Sequence, residues 1–121
     1  MTFDEIDSTV KYLVDLCKTN LPFKICDKLK INIFFIDLPR STNGLFVKTK
    51  DDKKIILINR FAHKNEFHKI CSHELGHAIL HHSVNAVCLE DNTKLLKRLD
   101  EEAEHFSEEL SKCNYEDSYF L

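Results

Sequence analysis

Residues 71–82 read CSHELGHAILHH and hold four of the chain's seven histidines. His73 and His77 are four residues apart, and Glu74 directly follows the first of them. Positions i and i+4 of an α-helix lie one above the other, so both imidazoles can bind one zinc ion. The adjacent glutamate can take a proton from the attacking water as general base and pass it to a leaving amine. The spacing therefore predicts a zinc-dependent hydrolytic site.

The residues around this HExxH motif favour a metal site over a solvated polar helix. Ile70, Cys71 and Ala78–Leu80 surround the motif with apolar or small side chains. Gly76 lies inside the predicted helix, where a glycine costs about 1 kcal/mol relative to alanine. We therefore expect another element, such as a neighbouring sheet, to pack closely against it. Cys71 is turned about 200° around the helix from His73, which predicts core packing and not ligation.

The other histidines near the motif are interpreted as supporting or surface residues. His81 lies one turn past His77 and can hydrogen-bond near the site. Three further histidines are expected at or near the surface: His63, His68 and His82.

A catalytic zinc site needs a third protein ligand and an open position. The acidic stretch RLDEEAEHFSEEL, at residues 98–110, supplies the candidates. Its apolar stripe must face the core, so a ligand has to flank that stripe. Asp100 and Glu104 lie on one side of it and Glu102 on the other, while His105 is a further option. The residue pattern by itself leaves the third ligand open.

Three apolar stretches predict a small sheet. Residues 31–37 indicate a buried strand, and residues 45–49 and 54–59 indicate an antiparallel hairpin whose first strand lies at an edge. Helical apolar patterns occupy three further segments: residues 3–18, 64–82 and 93–112. The order α-β-β-β-α-α predicts an α+β domain. We expect a three-stranded, mostly antiparallel sheet packed against the N-terminal helix, the HExxH helix and the C-terminal helix.

Composition narrows the functional class. The length of 121 residues predicts a single domain over residues 1–121. A net charge of −3 with scattered lysines lacks the one-sided basic face of a nucleic-acid binder, so we expect no direct nucleic-acid binding. The sequence shows neither an apolar run of the ~20 residues that cross a membrane nor a secretory signal. The five widely spaced cysteines are therefore expected as free thiols in the cytoplasm.

Three stretches resemble the ImmA/IrrE-type metallopeptidase domain, over roughly residues 3–110. The hairpin ending in IILINRF resembles the family's strand that closes on Ile-x-Asn. HELGHAILH, at 73–81, matches the pattern HELGHxxLH and is the most specific of the three. LDEEAEHFSEEL, at 99–110, resembles the family's helix E-x-x-A-N/D-x-F-A-x-x-L.

The resemblance implies a zincin-like minimal domain with a defined set of ligands. Aligned on Ala103 and Phe106, the family's third zinc ligand falls on Asp100, where the usual residue is glutamate. The family's supporting Asn/Asp position falls on Glu104. Since aspartate reaches one methylene less than glutamate, either the helix shifts inward, or Glu102 or Glu104 takes the role.

The resemblance further implies a cytoplasmic zinc endopeptidase that cleaves one specific protein. The expected substrate is a helix-turn-helix transcriptional repressor of a phage or mobile element. It would pair as an extended strand with the edge strand at residues 45–49. The alternative is a non-proteolytic zinc-binding regulator or toxin–antitoxin component that acts by partner binding. That alternative predicts a closed site in which His81 or a second acid is the fourth ligand; a protein without metal is a third hypothesis.

Overall fold

The computed structural model describes residues 1–82 and 93–113. In that part of the chain the helices are α1 (Phe3–Cys17), α2 (Pro22–Lys28), α3 (Phe67–Leu80) and α4 (Thr93–Lys112). The strands are β1 (Asn32–Ile36), β2 (Gly44–Lys48) and β3 (Lys54–Asn59), and a 3-10 turn at Lys64–Glu66 leads into α3. The α+β class is confirmed. The added element is α2, which begins where Pro22 ends the preceding segment, because the fixed φ of proline suits a first helical turn.

The sheet is mixed, with strand order β1-β3-β2. β2 and β3 form the predicted antiparallel hairpin, whereas β1 pairs with β3 in parallel. The chain reverses direction after β1 and again after β2, and β3 takes the central position. β3 therefore runs parallel to β1 and antiparallel to β2. β3 has the most buried side chains of the three strands, which fits that position. β2 lies at an edge, as its short, lysine-flanked sequence predicts.

The core lies between the sheet and the helices. α1 begins with a capping box between Thr2 and Glu5, and its buried face follows the helical apolar pattern of residues 3–18. Its members are Ile6, Val10, Leu13, Val14 and Cys17. The C-terminal half of α4 adds Phe106 and Leu110 to this core, and Ala103 of the same helix is also buried. No helix within residues 1–82 and 93–113 is both long and apolar enough to span a bilayer.

Gly76 marks the contact between α3 and α4. A Cβ atom at this position would lie 3.1 Å from both the Cα and the carbonyl oxygen of Ala103, and 3.2 Å from Cδ1 of Phe106. The close packing expected at Gly76 is thus present. The expected neighbour was wrong, however: α4 and not the sheet approaches the glycine. This contact sets how near the acidic face of α4 comes to the histidines of α3.

Candidate metal centre

His73, His77 and Asp100 converge at the α3–α4 contact. One ligand-type atom from each lies within 4.8 Å of the other two. Oδ1 of Asp100 is 2.8 Å from Nε2 of His73 and 3.7 Å from Nε2 of His77. The two imidazole rings lie one helical turn apart, with centroids separated by 5.0 Å. α3 therefore presents two Nε2 atoms, and α4 adds a carboxylate oxygen beside both.

The other two acids considered at the sequence level take different positions. Oε2 of Glu104 is 3.0 Å from Nδ1 of His73, the ring nitrogen that does not face Asp100. Glu102 is only 5% exposed, and its Oε1 is 2.8 Å from Nε2 of His81. In the part of the chain that the structure describes, Asp100 is thus the acid that joins the two histidines. Glu104 supports one ring, and Glu102 contacts neither His73 nor His77.

Glu74 is buried at the floor of the same site, with 8% of its surface exposed. Burial raises the pKa of its carboxyl to about 7; the nearby Asp100 also raises it and His73 lowers it. A bound cation would oppose this shift by favouring the ionised carboxylate. Gly44 of β2 packs directly on the glutamate, since a Cβ on that glycine would lie 3.1 Å from Cγ of Glu74. The strand edge and the motif helix thus meet at the predicted base.

His77 is held neutral by its surroundings. Desolvation is the largest cause that lowers its pKa to about 4, and His73 and His81 add to the effect. Asp100 acts in the opposite direction. A histidine binds a metal ion only through an unprotonated ring nitrogen, so neutrality near pH 7 is the state that ligation requires.

A groove runs past the site on both sides. A cleft of about 420 Å³ lies toward the loop at residues 41–43, and one of about 560 Å³ lies toward Leu96 and Leu99 of α4. Both clefts are lined by Gly44, His73, Glu74 and Asp100. The candidate site therefore lies midway along an open groove between the edge strand β2 and α4, which suits an extended polymer better than a small enclosed ligand.

Most of the other sequence interpretations hold. Cys71 is fully buried, and His63, His68 and His82 are exposed. His105 does not face the site. Its Nε2 is 2.7 Å from Oδ1 of Asp7 on α1, and with Glu109 these residues form a second group of ligand-type atoms. This second group lies between α1 and α4, and none of its members belongs to the HExxH motif.

Two supporting residues were given no role at the sequence level. Asn59, which ends β3, donates from Nδ2 to the carbonyl oxygens of Leu38, Pro39 and Thr42, at 2.9–3.2 Å. It thereby holds the loop that forms one wall of the groove. The second residue is Gly44, which begins β2 and packs against Glu74. The signal at Asn59 is a polar residue that closes an apolar strand, whereas Gly44 gives no local sign of its contact with Glu74.

Comparison with known proteins identifies the family. Residues 26–114 match the IrrE N-terminal-like domain, Peptidase_M78. The chain belongs to this family. The resemblance predicted from the three motifs is thereby confirmed, and membership in a metallopeptidase family supports peptidase chemistry that depends on a metal ion.

Two curated relatives match most of the chain. It is 32% identical over 106 residues to the "Uncharacterized immunity region protein 2" of Bacillus phage phi105, covering 87% of this chain and 66% of the relative. It is 35% identical over 107 residues to "Metallopeptidase ImmA" of Bacillus subtilis, covering 87% of this chain and 62% of the relative. The chain thus spans less than two thirds of the length of either protein. No solved structure matches the chain with statistical significance.

Proposed function

We propose that the chain is a zinc-dependent endopeptidase domain in which His73, His77 and Asp100 hold the metal and Glu74 is the general base. The observation that carries the proposal is the convergence of those three ligand-type atoms within 4.8 Å, beside a buried glutamate and in the middle of a groove. Two imidazoles and one carboxylate are a donor set that catalytic zinc sites use. The donor chemistry therefore fits zinc.

Zinc bound by these residues would polarise a peptide carbonyl and lower the pKa of water. The chain's own contribution starts with Glu74. Its carboxylate accepts a proton as water attacks the carbonyl carbon, and then gives that proton to the nitrogen that leaves when the C–N bond breaks. His73 is oriented by Glu104, whose carboxylate accepts the Nδ1–H of the ring at 3.0 Å.

The groove supports a polypeptide substrate. β2 lies at the sheet edge and forms one wall of the groove next to Glu74. Its exposed Leu45 and Val47 offer apolar contacts beside an edge available for pairing. An extended segment that adds to β2 as a further strand would lie along the groove with a peptide bond near Glu74.

The substrate that we propose is a cytoplasmic regulatory protein, of the helix-turn-helix repressor type. Support comes from the relatives: one is named for a phage immunity region and the other is named a metallopeptidase. The non-proteolytic alternative calls for a closed four-ligand site. Against it, His81 does not belong to the group of ligand-type atoms formed by His73, His77 and Asp100, and its Nε2 contacts Glu102 instead. Among the described residues the group has three members, and a three-ligand site with an open position is the arrangement of a catalytic zinc.

The test pairs metal content with peptide cleavage. Wild type and Glu74→Gln are purified without added zinc, their metal content is measured, and each is incubated with a proteome-derived peptide library whose new termini are read by mass spectrometry. Wild type should retain zinc and generate a narrow set of new termini. Glu74→Gln should retain the zinc but cleave about 10²–10⁴-fold more slowly, since it loses the base. The matched control is Glu101→Gln, an exposed acid on α4 that does not line the groove.

Two results would contradict the proposal. Cleavage by Glu74→Gln at the wild-type rate would remove the glutamate from the mechanism. Less than about 0.2 equivalents of zinc in the wild-type protein would count against both metal hypotheses, because a three-ligand site should retain its ion.

A further inference from the structure

A buried line of hydrogen-bonding groups runs from the metal centre into the protein. Nδ1 of His77 is 3.0 Å from Nδ1 of His81, and Nε2 of His81 is 2.8 Å from Oε1 of Glu102. His81 is 7% exposed and Glu102 is 5% exposed. These two residues lie outside the group formed by His73, His77 and Asp100. Burying a carboxylate or an imidazole costs free energy unless the group is hydrogen-bonded. The contact between Glu102 and His81 supplies a partner to both groups.

The positions of the protons follow from the chemistry of the groups. An ionised carboxylate only accepts hydrogen bonds, so Nε2 of His81 must donate to Glu102. In a neutral imidazole the other nitrogen then has no proton, which makes Nδ1 of His81 an acceptor. Nδ1 of His77 must therefore donate to it. A neutral His77 with its proton on Nδ1 carries its lone pair on Nε2, the atom that faces Asp100.

Glu102 is held as a carboxylate by several donors. The Met1 nitrogen lies 3.2 Å from Oε2, and Nε of Arg98 lies 3.6 Å from the same oxygen. The two oxygens of Glu102 thus have different partners, and Oε1 is the one that faces His81.

Given the proposed function, we propose that His81 and Glu102 are positioning residues that fix the tautomer and the ring orientation of His77. They hold its Nε2 lone pair toward Asp100 before any metal binds. The ring of His73 is oriented by a direct contact with Glu104, whereas the ring of His77 is oriented through the intervening imidazole of His81. The site is therefore supported on both histidines, by two buried or half-buried carboxylates from the same helix. Removing such support at a metal-binding histidine weakens metal affinity by about 10–100-fold.

The first measurement uses the zinc-free wild-type protein. Long-range ¹H–¹⁵N correlation spectra of the imidazole rings report which nitrogen of each histidine carries the proton. We expect His77 as the Nδ1–H tautomer and His81 as the Nε2–H tautomer. This measurement needs no variant, no bound metal and no substrate, so it stands if the peptidase proposal fails.

The second measurement is zinc affinity by competition with a fluorescent chelator. His81→Phe keeps a ring of similar size but accepts no hydrogen bond, and should weaken zinc binding by about 10–100-fold. Glu102→Leu should weaken it in the same direction and release His81 from its single tautomer. The control is His105→Phe, which also breaks a histidine–carboxylate pair on α4, but one directed at Asp7 and away from the metal centre. Its zinc affinity should equal that of wild type.

The outcomes separate the positioning role from the proposed function. Wild-type protein that binds zinc and cleaves peptides while His77 is the Nε2–H tautomer in the free state would overturn the positioning role and leave the peptidase intact. Equal zinc affinities of His81→Phe and His105→Phe would also overturn the positioning role. Wild-type protein with the expected tautomers but no peptidase activity would instead contradict the proposed function and leave the positioning role supported.

Discussion

Replacing Gly76 by alanine sets two opposing free-energy contributions against each other. Alanine is favoured over glycine in a helix interior by about 1 kcal/mol. The added Cβ would lie 3.1–3.2 Å from three atoms of α4, where ordinary contacts begin at 3.4 Å. Two of these atoms belong to the backbone of Ala103, so no rotamer change can relieve the contact. Overpacking of this kind costs about 1–3 kcal/mol. We expect a net loss of about 1 kcal/mol, or a fall in Tm of about 4 °C.

The same substitution should weaken zinc binding, because relief of the contact moves α4, and with it Asp100, away from α3. The assay measures urea denaturation of the zinc-free protein and zinc affinity by chelator competition. The matched control is Ile56→Val, at a fully buried position of β3. It should lose about 0.5–1.5 kcal/mol without changing zinc affinity, since it leaves the α3–α4 contact intact.

A second substitution tests whether distance is the cause. Asp100→Glu extends the acid by one methylene, so it should partly restore zinc binding in the Gly76→Ala background. In the wild-type background the longer acid should weaken binding. The role given to Gly76 is refuted if Gly76→Ala raises stability by the helix-propensity gain, or if it and Ile56→Val have equal effects on zinc affinity.

Two further predictions concern the groove wall. In Gly44→Ala, the new Cβ would lie 2.8 Å from Cγ2 of Ile70 and 3.1 Å from Cγ of Glu74. Peptide cleavage should fall by up to about 100-fold through misplacement of the base, with zinc content unchanged; an unaltered cleavage rate would show that the glutamate yields without consequence. Asn59→Ala leaves three carbonyls of the 38–42 loop without their shared donor, at a residue that is 3% exposed. It should cost about 1–3 kcal/mol in urea denaturation and speed proteolytic cleavage of that loop, whereas wild-type values for both would contradict the role given to Asn59.

Local periodicity accounts for the parts of the fold that the sequence predicts well. The buried face of α1 and the hairpin of β2 and β3 each follow from apolar spacing within one segment, together with a short turn. The parallel pairing of β1 with β3 does not, because strand direction depends on which neighbour takes the central position. The short helix α2 does not follow from local periodicity either. A proline such as Pro22 can end one helix or occupy the first turn of the next, and the sequence does not distinguish the two.

The candidate site divides in the same way. The i, i+4 spacing places His73 and His77 on one face of a helix, so this pair can be predicted without any tertiary structure. The sequence does not predict which of Asp100, Glu102 and Glu104 approaches the histidines, since all three flank the buried stripe of α4. Which of them approaches the histidines depends on the separation and rotation of two helices. Only the packed structure contains that information.

The aspartate at position 100 and the glycine at position 76 are explained together. A shorter acid can serve as the proposed third ligand only if its helix comes close, and α4 comes close because no side chain stands between its Ala103 backbone and α3. Oδ1 of Asp100 then lies 2.8 Å from Nε2 of His73 without any need for Glu102 or Glu104 to exchange roles. Glu104 instead contacts the ring of His73, and Glu102 contacts His81, which in turn contacts His77. The departure from the family's usual glutamate is thus compatible with an intact metal site, because helix separation and acid length compensate each other.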